Sequence, residues 1–227
     1  MSLYSRYILP TVISCGCSAP AISAHRRRLV PRAEGVVLEL GMGSGLNLPF
    51  YDPAKVAKVY GLEPDCGMLA KAARRAAKAP VRVRVLKETA ETLSLPDQSV
   101  DTVVVTFCMC TFPDAPTALH GARRVLKPGG RLLFCEHGRA PEDRVFRRQQ
   151  KVEPMWKRMF GGCHLTRDIP TLIREAGFEI EEIDVGYMPN APRIGGYVYC
   201  GAATVPQQDP RGAAAVSRAA GLAASMH

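Results

Sequence analysis

The chain has one tryptophan, no C-x-x-C pair and no apolar run of membrane-spanning length among its 227 residues. Without about 18 consecutive apolar residues, no segment is expected to cross a bilayer. The apolar stretch "YILPTVISCGCSAPAISA" (7–24) is broken by Pro10, Gly16 and Pro20, and only Arg6 stands where a secretory leader would carry its basic region. It therefore reads as part of the folded protein, in a cytoplasmic setting. A lone Trp and the lack of an aromatic–glycine signature argue against specific nucleic-acid recognition. A formal net charge of +9 would favour anionic partners, but the basic residues fall in short, scattered runs such as "HRRR" (25–28). A solvated basic surface is the expected reading, with peripheral contact to an anionic membrane as the alternative.

Eight cysteines would suit a disulfide framework in a small secreted domain, yet the chain is neither small nor evidently exported, so reduced thiols are the default. The densest group, "TFCMCTF" (106–112), has no accompanying ligand set at zinc spacing, and no metal site is expected.

From residue 36 onward, short apolar runs alternate with helical patterns. "VVLEL" (36–40), "KVYGLE" (58–63), "VRVRVL" (81–86), "VDTVVVTF" (100–107) and "RLLFCE" (131–136) read as strands. "GMLAKAARRAAKA" (67–79) and "PTALHGARRVL" (116–126) read as helices, and "KPGG" (127–130) as a helix stop and turn. Such alternation implies α/β architecture, a doubly wound and mostly parallel sheet covered on both faces. Beyond 140 the expectation is a helix interrupted at Pro154, then a helix capped by Thr166, then two strands forming an antiparallel pair. The domain reading is an N-terminal extension (1–34), one catalytic domain (35–204) and a tail (205–227).

"LELGMGSGLNLPFY" carries the clearest site signal. A buried strand ends at Glu39, and Gly41, Gly43 and Gly45 follow at alternating positions, where the backbone must turn sharply and approach a ligand. A dinucleotide fingerprint would need its third glycine at 46, which is Leu46, so the ligand need not carry a pyrophosphate. The second strand ends "GLEPD", which puts Glu63 where an acid can accept hydrogen bonds from both hydroxyls of a ribose. A third loop, "ETAETLSLPDQ", leads into the fourth strand and can bracket an adenine. Together they imply a nucleoside cofactor.

As a set, "VLELGMGSG", "GLEPD", "LPDQSVDTVV" and "RRVLKPGGRLLFCEH" resemble the successive motifs of class I S-adenosylmethionine-dependent methyltransferases, over roughly residues 35–200. The resemblance implies a seven-stranded Rossmann-like sheet with its last strand antiparallel, and S-adenosyl-L-methionine as cofactor. It implies that Gly41, Gly43, Ser44 and Gly45 cradle the methionine end, with Glu39 orienting the ammonium group and Asn47 beside it. Glu63, with Pro64 and Met68 nearby, would hold the ribose. Thr89, Ala90 and Glu91 would border adenine; the family often has Asp where Thr89 stands, which shifts that contact to backbone or to Glu91. Phe107 and Cys108 would wall the junction between cofactor and acceptor, with Cys110 behind them.

The acceptor side is similar to a narrower group. "FCEHGR", "RRQQKVEPMWKRMFGGCHLTR" and "YVYCGAA" resemble the animal alkyl thiol S-methyltransferases and their bacterial relatives, which implies methyl transfer to a small-molecule thiol. A thiol must ionise to be a good nucleophile. Glu136 and His137, at the end of the fifth strand, are the expected catalytic pair, with His137 as base or cationic neighbour and His164 as a second candidate. A structural histidine at a strand end is the competing reading. Trp156, Met155 and Phe160 would wall an apolar acceptor pocket or else pack the helix. The alternative acceptors are phosphatidylethanolamine, methylated on nitrogen, and a quinone ring, methylated on carbon. A non-catalytic cofactor-binding regulator is the last alternative.

Overall fold

The computed structural model describes residues 14–206. The parts of the N-terminal extension and tail at 1–13 and 207–227 lie outside them. Seven strands, β1 (Gly35–Leu40), β2 (Val56–Leu62), β3 (Val83–Leu86), β4 (Val100–Thr106), β5 (Leu126–His137), β6 (Glu179–Tyr187) and β7 (Tyr197–Thr204), form one sheet in the order β3-β2-β1-β4-β5-β7-β6. The pairs from β3 through β5 are parallel, and β7 runs antiparallel to both β5 and β6. This is the seven-stranded Rossmann-like topology that the resemblance to class I methyltransferases implies, on the doubly wound sheet expected from the alternating pattern.

Strands covered on both faces must be apolar on both, and β4 shows it. Val103 and Val105 belong to the core on one side of the sheet, and Val104 to the core on the other. The strand order reverses between β1 and β4, so the chains leaving their carboxyl ends diverge and open a crevice there. Helices α1 (Pro20–Leu29), α2 (Cys66–Ala76), α3 (Ala115–Val125), α4 (Asp143–Met159), α5 (Ile169–Glu175) and the short α6 (Arg193–Gly196) cover the sheet. No helix among the described residues is long and apolar enough to cross a membrane.

Three local expectations need correction. The helix expected to break at Pro154 runs unbroken through it as α4. Proline removes the N–H that would bond the carbonyl of Gln150. Pro154 and Gln150 are both exposed, so water can hydrate that carbonyl, while the partly buried stripe Val145, Phe146, Gln149, Val152, Glu153 and Trp156 continues past the proline. Glu153 anchors this stripe by accepting the backbone N–H groups of Leu165 and Thr166 at 2.9 and 2.8 Å.

Helix α5 is capped by Asp168, which accepts from the Thr171 N–H at 3.1 Å, and not by Thr166. Finally, "KPGG" lies inside β5 as an irregularity. The pairing jumps from Val100↔Leu126 to Thr102↔Arg131, with Gly129 at φ 77° absorbing the extra residues.

Removing the α5 cap should cost about 1 kcal/mol. Urea unfolding of Asp168→Ala is expected to show that loss and Asp168→Asn to restore most of it; equal stability of all three would contradict the assigned cap.

Candidate active site

Segments leaving the carboxyl ends of β1, β2, β3 and β4, together with Arg26 of α1, border a cleft of about 370 Å³, within the range of small-ligand sites. The glycine loop forms its floor. Gly41 and Gly43 hold φ of 61° and 58°, a region that penalises any side chain. A Cβ on Gly41 would stand 2.8 Å from the Cys108 side chain, whereas one on Gly43 would meet nothing within 4 Å. Gly43 thus presents bare backbone to the cleft. Gly45 does not border the cleft; it lets the loop pack against Leu48 and Ala72.

Of the other residues expected to hold the cofactor, Glu39, Ser44, Asn47, Glu63, Pro64, Met68, Thr89, Ala90, Glu91, Phe107 and Cys108 all line the cleft. Glu39 is buried and accepts from Asn47 Nδ2 at 3.0 Å and Tyr51 Oη at 2.8 Å. Burial pushes its carboxyl up to about 7, against the opposing pull of those donors and of Arg26. Glu63 ties two loops together: it accepts the Gly43 N–H at 2.8 Å and the Asp65 N–H at 2.9 Å, and burial also raises its pKa. Thr89 and Thr92 form a reciprocal cap around a short turn that contains Ala90 and Glu91.

Phe107 borders the cleft at φ 52°, unusual for a bulky residue and a local strain of about 1–2 kcal/mol. Beyond it, Cys108 and Met109 donate their backbone N–H groups to Glu136 Oε1 at 2.8 and 3.0 Å. Glu136 is fully buried, and burial lifts it to about 7 although these N–H groups pull it down. Its role in the geometry is to set the turn after β4.

None of Glu136, His137 and His164 lines the cleft. His137 Nε2 lies 3.1 Å from Cys163 Sγ, and His164 Nδ1 lies 3.2 Å from Glu153 Oε1. Cys163 also receives the Trp156 indole N–H at 3.3 Å. The neighbouring Cys110 thiol, then His137, pull the Cys163 thiol well below its ordinary value. Trp156 and Phe160 stack with ring centroids 4.2 Å apart, while Met155 projects into solvent and walls nothing.

Sequence reasoning assigned no site role to four residues. Arg26 was hidden in the basic run taken for surface. It is 5% exposed, lines the cleft, donates to the Cys17 carbonyl and sits 5.4 Å from the centroid of the Phe107 ring. Its Nε is buried without a partner. Tyr51 orients Glu39, and Cys163 meets His137. Arg167 donates to the carbonyls of Met109 and Phe112, which staples the turn after β4 to the segment after α4. Cys163 and Arg167 fall within the run "GGCHLTR" that carries the acceptor-side resemblance, without a role assigned to either, and Arg26 left a fainter trace as a charged residue inside an otherwise amphipathic helix.

The cleft therefore offers bare backbone, two buried carboxylates and one buried guanidinium with a free donor. Those groups fit S-adenosylmethionine, whose amino-acid end carries an ammonium and a carboxylate and whose sulfonium is a further cation.

The chain matches the family model described as a methyltransferase domain over residues 38–134. It is 33% identical to the thiol S-methyltransferase TMT1B of Rattus norvegicus over 160 residues, 69% of this chain and 64% of the rat protein. To TMT1B of Homo sapiens it is 32% identical over 169 residues, 70% of this chain and 68% of the human protein. The chain thus spans about two thirds of the length of these relatives. The demethylmenaquinone methyltransferase of Thermus thermophilus is 37% identical over 122 residues, 52% of this chain and 56% of that protein. In fold, a chain of the Haloferax volcanii complex between the Trm112 methyltransferase activator and a methyltransferase superposes with a TM-score of 0.69 at 18% identity, over 91% of this chain and 99% of that one.

Calorimetric titration with S-adenosylmethionine should show Glu39→Gln and Arg26→Met each weakening binding by about 10- to 100-fold, the worth of a hydrogen bond to a charged group. A bound cation favours ionised Glu39, so in the wild type binding should release a proton and weaken as pH falls through about 7. Glu39→Gln should flatten that dependence; an unchanged slope would assign it to another group.

Proposed function

The chain belongs to the class I S-adenosylmethionine-dependent methyltransferases, and we propose that it moves the methyl group to small thiols. The observation that carries this reading is its likeness to two thiol S-methyltransferases across about two thirds of each, a longer match than to the quinone enzyme. When bound, S-adenosylmethionine supplies an electrophilic methyl carbon on a sulfonium.

The residues divide the remaining work. Glu39 and Arg26 hold the charged amino-acid end, the backbone at Gly41 and Gly43 lies against it, Glu63 receives the ribose, and the turn at Thr89–Glu91 borders the base. Phe107, Cys108, Thr111 and Phe112 give the far wall an apolar surface with one hydroxyl. Such a wall favours an apolar thiol and excludes water from the line of displacement. A thiol reaching the cofactor along this wall would do so as the thiolate, its proton already given up to solvent, and would take the methyl as the sulfonium C–S bond gave way. Glu136 positions this wall through Cys108 and Met109. His137, held against Cys163, and His164, held against Glu153, act from behind it and do not touch the cleft.

The purified protein with S-adenosylmethionine is expected to methylate aromatic and alkyl thiols and hydrogen sulfide. Product on phosphatidylethanolamine vesicles or a demethylquinone, with none on any thiol, would overturn the assignment. Because the thiolate is the nucleophile, kcat/KM should rise about tenfold per pH unit below the acceptor's own pKa and then level off. Aromatic thiols, being more acidic, should level off at lower pH than alkyl thiols. Identical profiles for both would place the controlling ionisation on the protein.

A further inference from the structure

The two cysteines of "TFCMCTF" part company in the fold. Cys108 faces the cleft and donates its thiol to the Leu40 carbonyl. Cys110 turns away, toward His137 and Cys163. The sulfurs of Cys110 and Cys163 and a ring nitrogen of His137 all lie within 4.8 Å of one another. We propose that these three residues form a binding site for a soft divalent metal ion, best suited to zinc.

Donor type, geometry and surroundings converge on that reading. Two thiolates and one imidazole are a common zinc donor set, and hard cations do not favour it. Zinc ligands of these types stand about 3.6 Å apart on a tetrahedral ion, from bond lengths of about 2.3 and 2.1 Å. The observed 3.1 Å between His137 Nε2 and Cys163 Sγ needs only a small expansion. Cys110 and Cys163 are 2% and 7% exposed. Two thiolates neutralise a divalent ion, so the occupied site adds no net charge to this buried position.

The surroundings hold the ligands in place. The Trp156 N–H points at Cys163 Sγ, the kind of outer contact that supports a ligating thiolate. The His164 N–H bonds the Cys110 carbonyl at 2.9 Å. The ligands come from the turn Met109–Thr111, the last residue of β5 and the loop after α4. No strand ladder brings these three together. A second group, His25, Cys135 and Cys200, also lies within 4.8 Å, but Cys135 and Cys200 are direct cross-strand partners in the β5–β7 ladder, which accounts for the proximity of those two. His25 and Cys200 are also only partly buried.

An ion here would pin the turn after β4 to the loop after α4, two segments that border the cleft at Thr111 and Gly161. Three protein ligands leave a fourth position for water or another donor. The site does not depend on the thiol-acceptor reading, and its test does not use turnover.

The experiment is cobalt(II) titration of the reduced, metal-free full chain, followed by zinc competition. The wild type is expected to bind one equivalent with a thiolate-to-cobalt charge-transfer band, and zinc should displace it. Trp156 is the only tryptophan and touches a ligand sulfur, so its fluorescence should be quenched by cobalt and recover with zinc. Cys110→Ser and Cys163→Ser should lose the band and the quenching at stoichiometric metal, and Cys200→Ser should keep both. Circular dichroism and S-adenosylmethionine binding report whether each variant folds; the wild-type titration needs no variant. A wild type without the thiolate band, or a band lost in Cys200→Ser and kept in Cys163→Ser, would overturn the site.

Discussion

Three carboxylates are buried along one edge of this sheet, and much of the molecule is arranged around keeping them there. Glu39, Glu63 and Glu136 stand at or just past the ends of β1, β2 and β5, and none is more than 8% exposed. An isolated carboxylate in such a place would be strongly disfavoured as an ion. Each therefore accepts from a donor in another segment, although Glu136 Oε2 is left buried without a partner. Asn47 and Tyr51 serve Glu39, the glycine loop and Asp65 serve Glu63, and the turn after β4 serves Glu136. The same bonds that make the charges tolerable fix the loops that form the cleft. Raised pKa values at all three show that the donors offset only part of the desolvation. In the proposed reading, a ligand carrying positive charge would complete the compensation at Glu39 and so link binding energy to the design of the edge.

The turn after β4 is held from several directions. Glu136 grips its N–H groups, Arg167 grips its carbonyls, and Cys110 reaches toward His137 and Cys163. Such over-determination is what allows Phe107 to sit in a left-handed conformation that a free loop would abandon. Cys163 and Arg167, from the segment after α4, thereby act on the cleft without lining it. A stiff wall on the acceptor side also suits an in-line displacement, in which small errors of alignment are costly.

How much of this was legible in the sequence depended on whether the signal was local. Gly41 and Gly43 are readable because a backbone that must adopt positive φ selects glycine at fixed offsets, whatever packs around it. Glu63 is readable because strand ends fall at predictable intervals in alternating α/β chains. Asp168 was missed because Thr166 offered an equally good cap two residues earlier, and only the position of the first helical turn decides between them. Pro154 misled because helix propensity weighs the proline itself, whereas the outcome depended on which face of α4 met water. Arg26 lies far from the motifs in sequence, while Cys163 sits inside the acceptor-side run with no role of its own legible there; the meaning of both comes from what the fold sets beside them.

The same distinction separates the two halves of the proposed reaction. The cofactor half rests on contiguous loops at the edge of a parallel sheet, so its residues are named by short motifs and the family is recognisable from them. The acceptor half is assembled from α1, the turn after β4 and the segment after α4, each contributing a residue or two. Arg26 illustrates the consequence: one guanidinium from the N-terminal helix enters the cleft between Glu39 and Phe107 and so joins the two halves. Acceptor preference can then change by substitutions in these separate segments while the buried carboxylates, which hold the sheet edge together, stay as they are.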